Sequence, residues 1–387
     1  MTRIGILSEF DVSSSWARST NLHHMVQAVA SLCDAIVPYG PLQARGDRLR
    51  GALATASRRL RPEGRYSPHY SLRRGRRLAH SAREHFERDP TDLVLAPKGS
   101  AITAHLELPV PLVYESDATF ALLEGYYPSA TGLSARSARA AHELERRSFA
   151  RASALVFHTR WAAESAIRDY GADPAKVHVI PIGANLDPRE LPGPDALAQR
   201  SVEGPCRLLF VGVEWERKGG PQALAALDAL TRKGIDAELT VVGCAPPPGV
   251  HHPRLRRARY LSKAVPTERR ELMRLFSEAT FLLVPTRAEC FGCVFAEASA
   301  WGVPSLTTFT GGVPEVVEDG VNGFTLPLEA TGEDFAERIA RLLEDPARYA
   351  ALVRTTRARY DAEFTWEVWA QRFGERVLAP LLGERSG

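Results

Sequence analysis

Short apolar runs recur along this chain, each followed by a polar turn and then by a stretch with helical spacing. In the first half they fall at residues 3–9, 92–96 (DLVLA), 111–114 (PLVY), 154–158 (ALVFH) and 176–181 (KVHVIP). Helical stretches stand between them, from 21 to about 33, at 139–150 and at 161–170. Short runs alternating with helices predict a parallel sheet covered by helices. A second set follows, with strands at 206–211, 238–242, 280–284, 305–307 and 323–326 and helices at 221–233, 268–276, from 291, from 314 and at 331–343. Between the sets, residues 186–205 are dense in Pro, Gly and Asp and read as the linker. The expected fold class is α/β, with two Rossmann-like domains at 1–195 and 196–363 and a closing helix at 364–387. No residue-level repeat relates the halves.

The rest is organised around residues 281–297, FLLVPTRAECFGCVFAE. An apolar run stops at Pro285, a polar turn carries Glu289, and a helix begins near Phe291 and carries Glu297. A strand-to-helix junction presents backbone N–H groups and the positive end of a helix, so it suits an anionic or polyhydroxyl ligand. The two carboxylates have seven residues between them and can hold two parts of one extended ligand.

Composition changes this picture little. At 387 residues the length favours two domains, and 44% hydrophobic with 25% charged residues is the balance of a globular enzyme. The net charge of +3 is small for this length, and no nucleic-acid partner is expected. No apolar run approaches a membrane span, and the N-terminus MTRIGILSEF does not read as a signal peptide, so a cytoplasmic protein is expected. Five irregularly spaced cysteines argue against a disulfide framework. Charge is nonetheless uneven: residues 45–83 hold twelve arginines, no lysine, and Asp47 and Glu63 as the acids. Two readings stand, a basic face for an anionic membrane surface or phosphorylated acceptor, and a solvated helix face.

Two further junctions carry chemistry. In FVGVEWERKGG (210–220), Arg217 and Lys218 precede a helix and can neutralise a diphosphate, one as a fork and one as a point charge. In TGGVPE (310–315), Gly311 and Gly312 let backbone amides approach a ligand closely. Taken in order, KVHVIPIGANLD, VGVEWERKGG, ELTVVG, the E-x7-E pair around ECFG, EASAWGVPSLTTFTGGVPEVVEDGVNGFTL and FTWEVWAQRF resemble the retaining glycosyltransferases of the GT-B fold, the family-4 and glycogen-synthase-like group. The match covers about 176–377.

That resemblance implies two facing Rossmann-like domains with an interdomain cleft, and a last helix that returns to the N-terminal, acceptor-binding domain. It implies that Glu297 holds the ribose and Glu289 the donor sugar. Phe291, Gly292, Cys290, Gly212, Gly311 and Gly312 complete the donor site, and Lys218 with Arg217 faces the diphosphate. The donor would be a UDP- or GDP-sugar, with no further cofactor and no metal. The chain departs from the group at Val213, where an arginine often stands, at Ser13, Ser14 and Ser15 in place of a glycine-rich loop, and at Glu115, Ser116 and Asp117 in place of a histidine. Asp117 has two readings, a carboxylate near the anomeric carbon or acceptor, and a helix cap. A nucleotide-sugar 2-epimerase and a noncatalytic binding protein are the rival functions. Cys290 and Cys293, His23, His24, His251 and His252, and the aromatics Phe364, Trp366, Trp369 and Phe373 are read as structural or solvated.

Overall fold

The computed structural model describes residues 1–12, 20–44 and 64–383. The Ser13 to Ser15 loop and residues 45–63 of the arginine-rich segment lie outside the described residues. The chain forms two compact units, Met1–Ile182 with Trp366–Gly387, and Gly183–Thr365.

In the first unit six strands form a parallel sheet: β1 (Arg3–Leu7), β2 (Ala35–Tyr39), β3 (Leu93–Pro97), β4 (Leu112–Ser116), β5 (Ala154–Phe157) and β6 (Val177–Val179). Their order is β2-β1-β3-β4-β5-β6. The sequence reading missed β2, whose Pro38 argues against a strand; the sheet tolerates it because β2 is an edge. Helices Thr20–Ala30, Leu72–Arg88, Ala135–Arg151 and Arg160–Tyr170 join the strands. The Leu72–Arg88 helix buries Leu78, Ala79, Ala82 and Phe86. It also buries Arg74, whose guanidinium pairs with Glu9, so this arginine belongs to the interior rather than to a basic face. Trp366–Phe373 packs on Thr20–Ala30, with Trp366 stacked on His24 and Trp369 on Phe373.

The second unit repeats the plan with β7 (Cys206–Val211), β8 (Ala237–Val242), β9 (Leu255–Ala258), β10 (Phe281–Val284), β11 (Ser305–Thr308) and β12 (Gly323–Leu326), in the order β12-β11-β10-β7-β8-β9. All pairs are parallel. Every residue of β10 is fully buried, as a central strand between two helix layers requires. The sequence reading missed β9 (LRRA), an edge strand guarded by Arg256 and Arg257, and the Pro346–Glu363 helix, whose arginines and threonines blur its apolar face.

The units divide between Ile182 and Gly183, ahead of the expected boundary at 195/196. The expected linker is instead docked on the second unit. Arg200 donates to the carbonyls of Phe276, Ser277 and Ala279 at the end of the Pro266–Glu278 helix, and Arg357 donates to Pro192. These bonds satisfy carbonyls that a helix end leaves orphaned, which ties the segment down.

Candidate functional site

In the second unit the sheet order reverses between β7 and β10, because β8 and β9 extend to one side and β11 and β12 to the other. At such a switch point the two following loops diverge and leave a crevice at the carboxyl ends of the strands. Lys218 follows β7 and Glu289 follows β10, so both stand at this crevice.

Local sequence builds each side. After β7, residues 214–219 coil into a tight turn in which Lys218 N–H donates to Glu214 and Gly220 N–H to Trp215. Gly219 has φ 79°, and a Cβ there would drive into the carbonyl of Pro285, so the turn closes on the β10 loop through glycine alone. A Cβ on Gly212 would lie 2.8 Å from Lys218 Cγ, so that glycine lets the lysine stem lie along the backbone. After β10, Gly292 (φ 81°) is the N-cap of the Cys293–Ala300 helix and has no side chain to spend on its amides.

These turns bring Lys218 onto Glu289 as an ion pair, with relative exposures of only 9% and 8%. Arg217 lies 3.7 Å from the same carboxylate. Its guanidinium is otherwise held by Glu214 and by the Ala288 carbonyl at 2.7 Å. Gly312 N–H approaches the Glu289 carbonyl at 3.4 Å, so the Gly311 and Gly312 turn adjoins the same loop. Phe291 packs edge-on against Phe364 and is buried. Cys290, next to it in sequence, is also buried and forms no disulfide.

Glu297 lies within the Cys293–Ala300 helix and pairs with Lys263, from the loop after β9. The sequence reading missed Lys263, since nothing in LSKAVP marks it. The acids of the E-x7-E motif therefore each meet a lysine from a separate loop. A buried carboxylate without such a partner would bear a large desolvation cost.

Asp117 belongs to the first unit, where Lys98 Nζ donates to its Oδ2 at 2.7 Å. Burial would raise its pKa, but the charges of Lys98 and His158 outweigh that and hold it below the usual aspartate value. The capping alternative fails, because Thr119 is the N-cap of the Phe120–Leu123 helix. Two histidines read as solvated are not: His252 Nε2 stands 3.2 Å from Asp228, and His24 stacks on Trp366. Among the described residues no group of three or more His, Cys, Asp or Glu side chains forms a cation site, and no helix is long and apolar enough to cross a membrane.

Comparison with known proteins bears on both units. A family model described as Glycosyltransferase Family 4 matches residues 34–188, and one described as Glycosyl transferases group 1 matches 205–345. Both models describe glycosyltransferases, one on each half of the chain. It is 35% identical over 238 residues to a D-inositol 3-phosphate glycosyltransferase of Xylanimonas cellulosilytica, covering 56% of this chain and 55% of that one. It is 33% identical over 197 residues to a glycogen synthase of Mycobacterium tuberculosis, covering 49% and 46%. The chain thus spans about half the length of the curated relatives it matches. In fold, the chain is similar to sucrose-phosphate synthase of Thermosynechococcus elongatus, with a TM-score of 0.69, 18% identity and full coverage of both chains. It is also similar to HepE of Anabaena in complex with UDP-glucose, with a TM-score of 0.64 and 18% identity over 98% of this chain and all of that one. The fold is therefore GT-B. None of these proteins is named as an epimerase.

Proposed function

We propose that this chain transfers a sugar from a nucleoside diphosphate sugar to an acceptor hydroxyl, with retention and without a metal. The observation that carries the reading is the pair of acid–lysine contacts made by the loop and helix after β10, Glu289 with Lys218 and Glu297 with Lys263. The hard charge in this reaction is the departing diphosphate, and cations fixed in advance stabilise it most. Lys218, with Arg217 beside it, takes that role; the arriving diphosphate competes with Glu289 for the ammonium. Glu297 then holds the ribose, Glu289 the sugar hydroxyls, and the backbone at Cys290, Phe291, Gly292, Gly212, Gly311 and Gly312 lines the donor. The acceptor oxygen bonds to the anomeric carbon on the face the phosphate leaves. The C–O bond breaks with its electron pair on the diphosphate, and the acceptor proton passes to a phosphate oxygen.

A UDP-sugar is the favoured donor, supported by the UDP-glucose complex of HepE. A thermal-shift panel of UDP-, GDP-, ADP- and TDP-sugars tests this. A ligand at about 100 times its Kd adds about 2.7 kcal/mol to the folded state, which moves a domain of this size by several degrees. A flat response to all four would defeat the proposal. The exposed Arg73, Arg76 and Arg83 on the Leu72–Arg88 helix extend the reading to peripheral contact with an anionic membrane. Flotation with phosphatidylserine vesicles, lost in a triple Ala variant, is the corresponding test.

A further inference from the structure

The loop after β10 carries two cysteine side chains that the donor chemistry does not use. Cys290 and Cys293 flank Phe291 and Gly292, and neither is in a disulfide. Fully extended, residues three apart would hold their Cα atoms about 10 Å from each other. A disulfide spans no more than about 7 Å. This segment is not extended: the chain bends at 290 and 291, and Gly292 turns left-handed before the helix begins at Cys293. The curvature shortens the span between the two cysteines.

Their surroundings differ. Cys290 is 5% exposed, whereas Cys293 is partly exposed at the first position of the Cys293–Ala300 helix. The positive end of a helix favours a thiolate, which is the nucleophile in thiol–disulfide exchange. Elsewhere burial works against that form: it pushes the Cys206 thiol up to about 12 and raises those of Cys33 and Cys244. An outer sulfur that meets an oxidant, with a second one three residues away to resolve it, is the arrangement of a redox-sensing pair. The pair is also coupled to both acids of the loop. Glu289 directly precedes Cys290, and a Cβ on Gly292 would stand 3.1 Å from Glu289 Cγ. Glu297 lies one turn along the helix that Cys293 heads.

We propose that Cys290 and Cys293 form a redox modification site, a dithiol that closes into a disulfide against a low-molecular-weight disulfide and thereby switches donor binding off. The effect on donor binding rests on the glycosyl-transfer reading given above; the bond itself does not. The Cys293 thiolate attacks one sulfur of the oxidant, whose S–S bond breaks, and the departing thiolate takes up a proton. Cys290 loses its proton and attacks the Cys293 sulfur of the mixed disulfide. The Cys290–Cys293 bond forms as the second oxidant thiol leaves with that proton. Two electrons pass from the protein dithiol to the oxidant, which ends as two thiols. Closing the ring draws Cys290 from its buried place and takes the backbone of Glu289 with it, so the Glu289 contact with Lys218 is lost.

The test equilibrates the full chain with oxidised glutathione, maps the disulfide by peptide mass, and titrates UDP-glucose before and after. A bond between Cys290 and Cys293 is expected. Affinity should fall by about tenfold or more, as for one lost hydrogen bond to a charged group, and dithiothreitol should restore it. Cys293→Ser should bind UDP-glucose within about twofold of the reduced wild type in both conditions. Should that variant not fold, Cys293→Ala replaces it. Absence of the mapped bond overturns the site. A mapped bond with unchanged affinity overturns the switch, and so does a loss of affinity that persists in Cys293→Ser. If reduced wild type forms the bond on oxidation but never binds UDP-glucose, the transfer reading falls, the switch falls with it, and the modification site stands.

Discussion

Glu289 and Glu297 lie on one loop and helix but answer to different lysines, so substitutions should separate their roles. Glu297→Ala removes hydrogen bonds to a charged group, about 1.5–3 kcal/mol, and should weaken UDP binding by roughly 10- to 150-fold in a titration. Lys218→Ala should leave binding nearer to wild type and lower kcat by about 100- to 1000-fold, the range for a lost charge stabiliser. Single-turnover kinetics beside equilibrium titration distinguishes the two. A third residue makes a prediction about pH. Glu145 is buried in the first unit, accepts the Phe120 N–H at 2.7 Å, and is pushed by burial from 4.5 up to about 8. The folded state therefore keeps a proton that the unfolded chain releases above pH 4.5. Stability should fall as pH rises from about 5 to 8 and level off beyond, and Glu145→Gln should flatten that slope in Tm measured against pH.

At the scale of elements, the turn after β7 matters more than its length suggests. Gly219→Ala places a Cβ against the Pro285 carbonyl in a left-handed conformation, which should cost about 2 kcal/mol or more and lower Tm by several degrees. The same variant should weaken donor binding, because Lys218 precedes it directly. Elements with a strong apolar run were legible from sequence: β7 and β12 coincide with their predicted limits, and β10 and β11 with theirs to within a residue. The edge strands β2 and β9 were not, since they carry proline or charge and so lose the apolar pattern that reveals a strand, whereas the edges β6 and β12 keep theirs. That failure propagated to the site. Glu289, Glu297 and Lys218 could be proposed because spacing and turn residues mark them, whereas Lys263 follows the illegible β9. The buried Glu115 and His158 pair was equally hidden, because residues far apart in sequence meet only once the order β4-β5 is known.

For the whole molecule, the two units differ in how the chain supplies them. The second is one continuous stretch, Gly183–Thr365, and contains all of the proposed donor residues. The first is assembled from both sides of it, since Trp366, Trp369, Phe373 and Val377 are buried there. Burying side chains of that size contributes about 1.5–3 kcal/mol each, and four of them rival the net stability of an ordinary domain. Residues 183–365 expressed alone should therefore melt cooperatively, whereas 1–182 alone should lack a cooperative transition in circular dichroism. During synthesis the order of completion is inverted as a result. The segment translated first must wait, with the Thr20–Ala30 helix uncovered, until the Gly183–Thr365 unit has been made and the ribosome has released the residues that close it. A nonsense mutation near 365 should thus spare the later-made half and condemn the earlier one to aggregation or proteolysis.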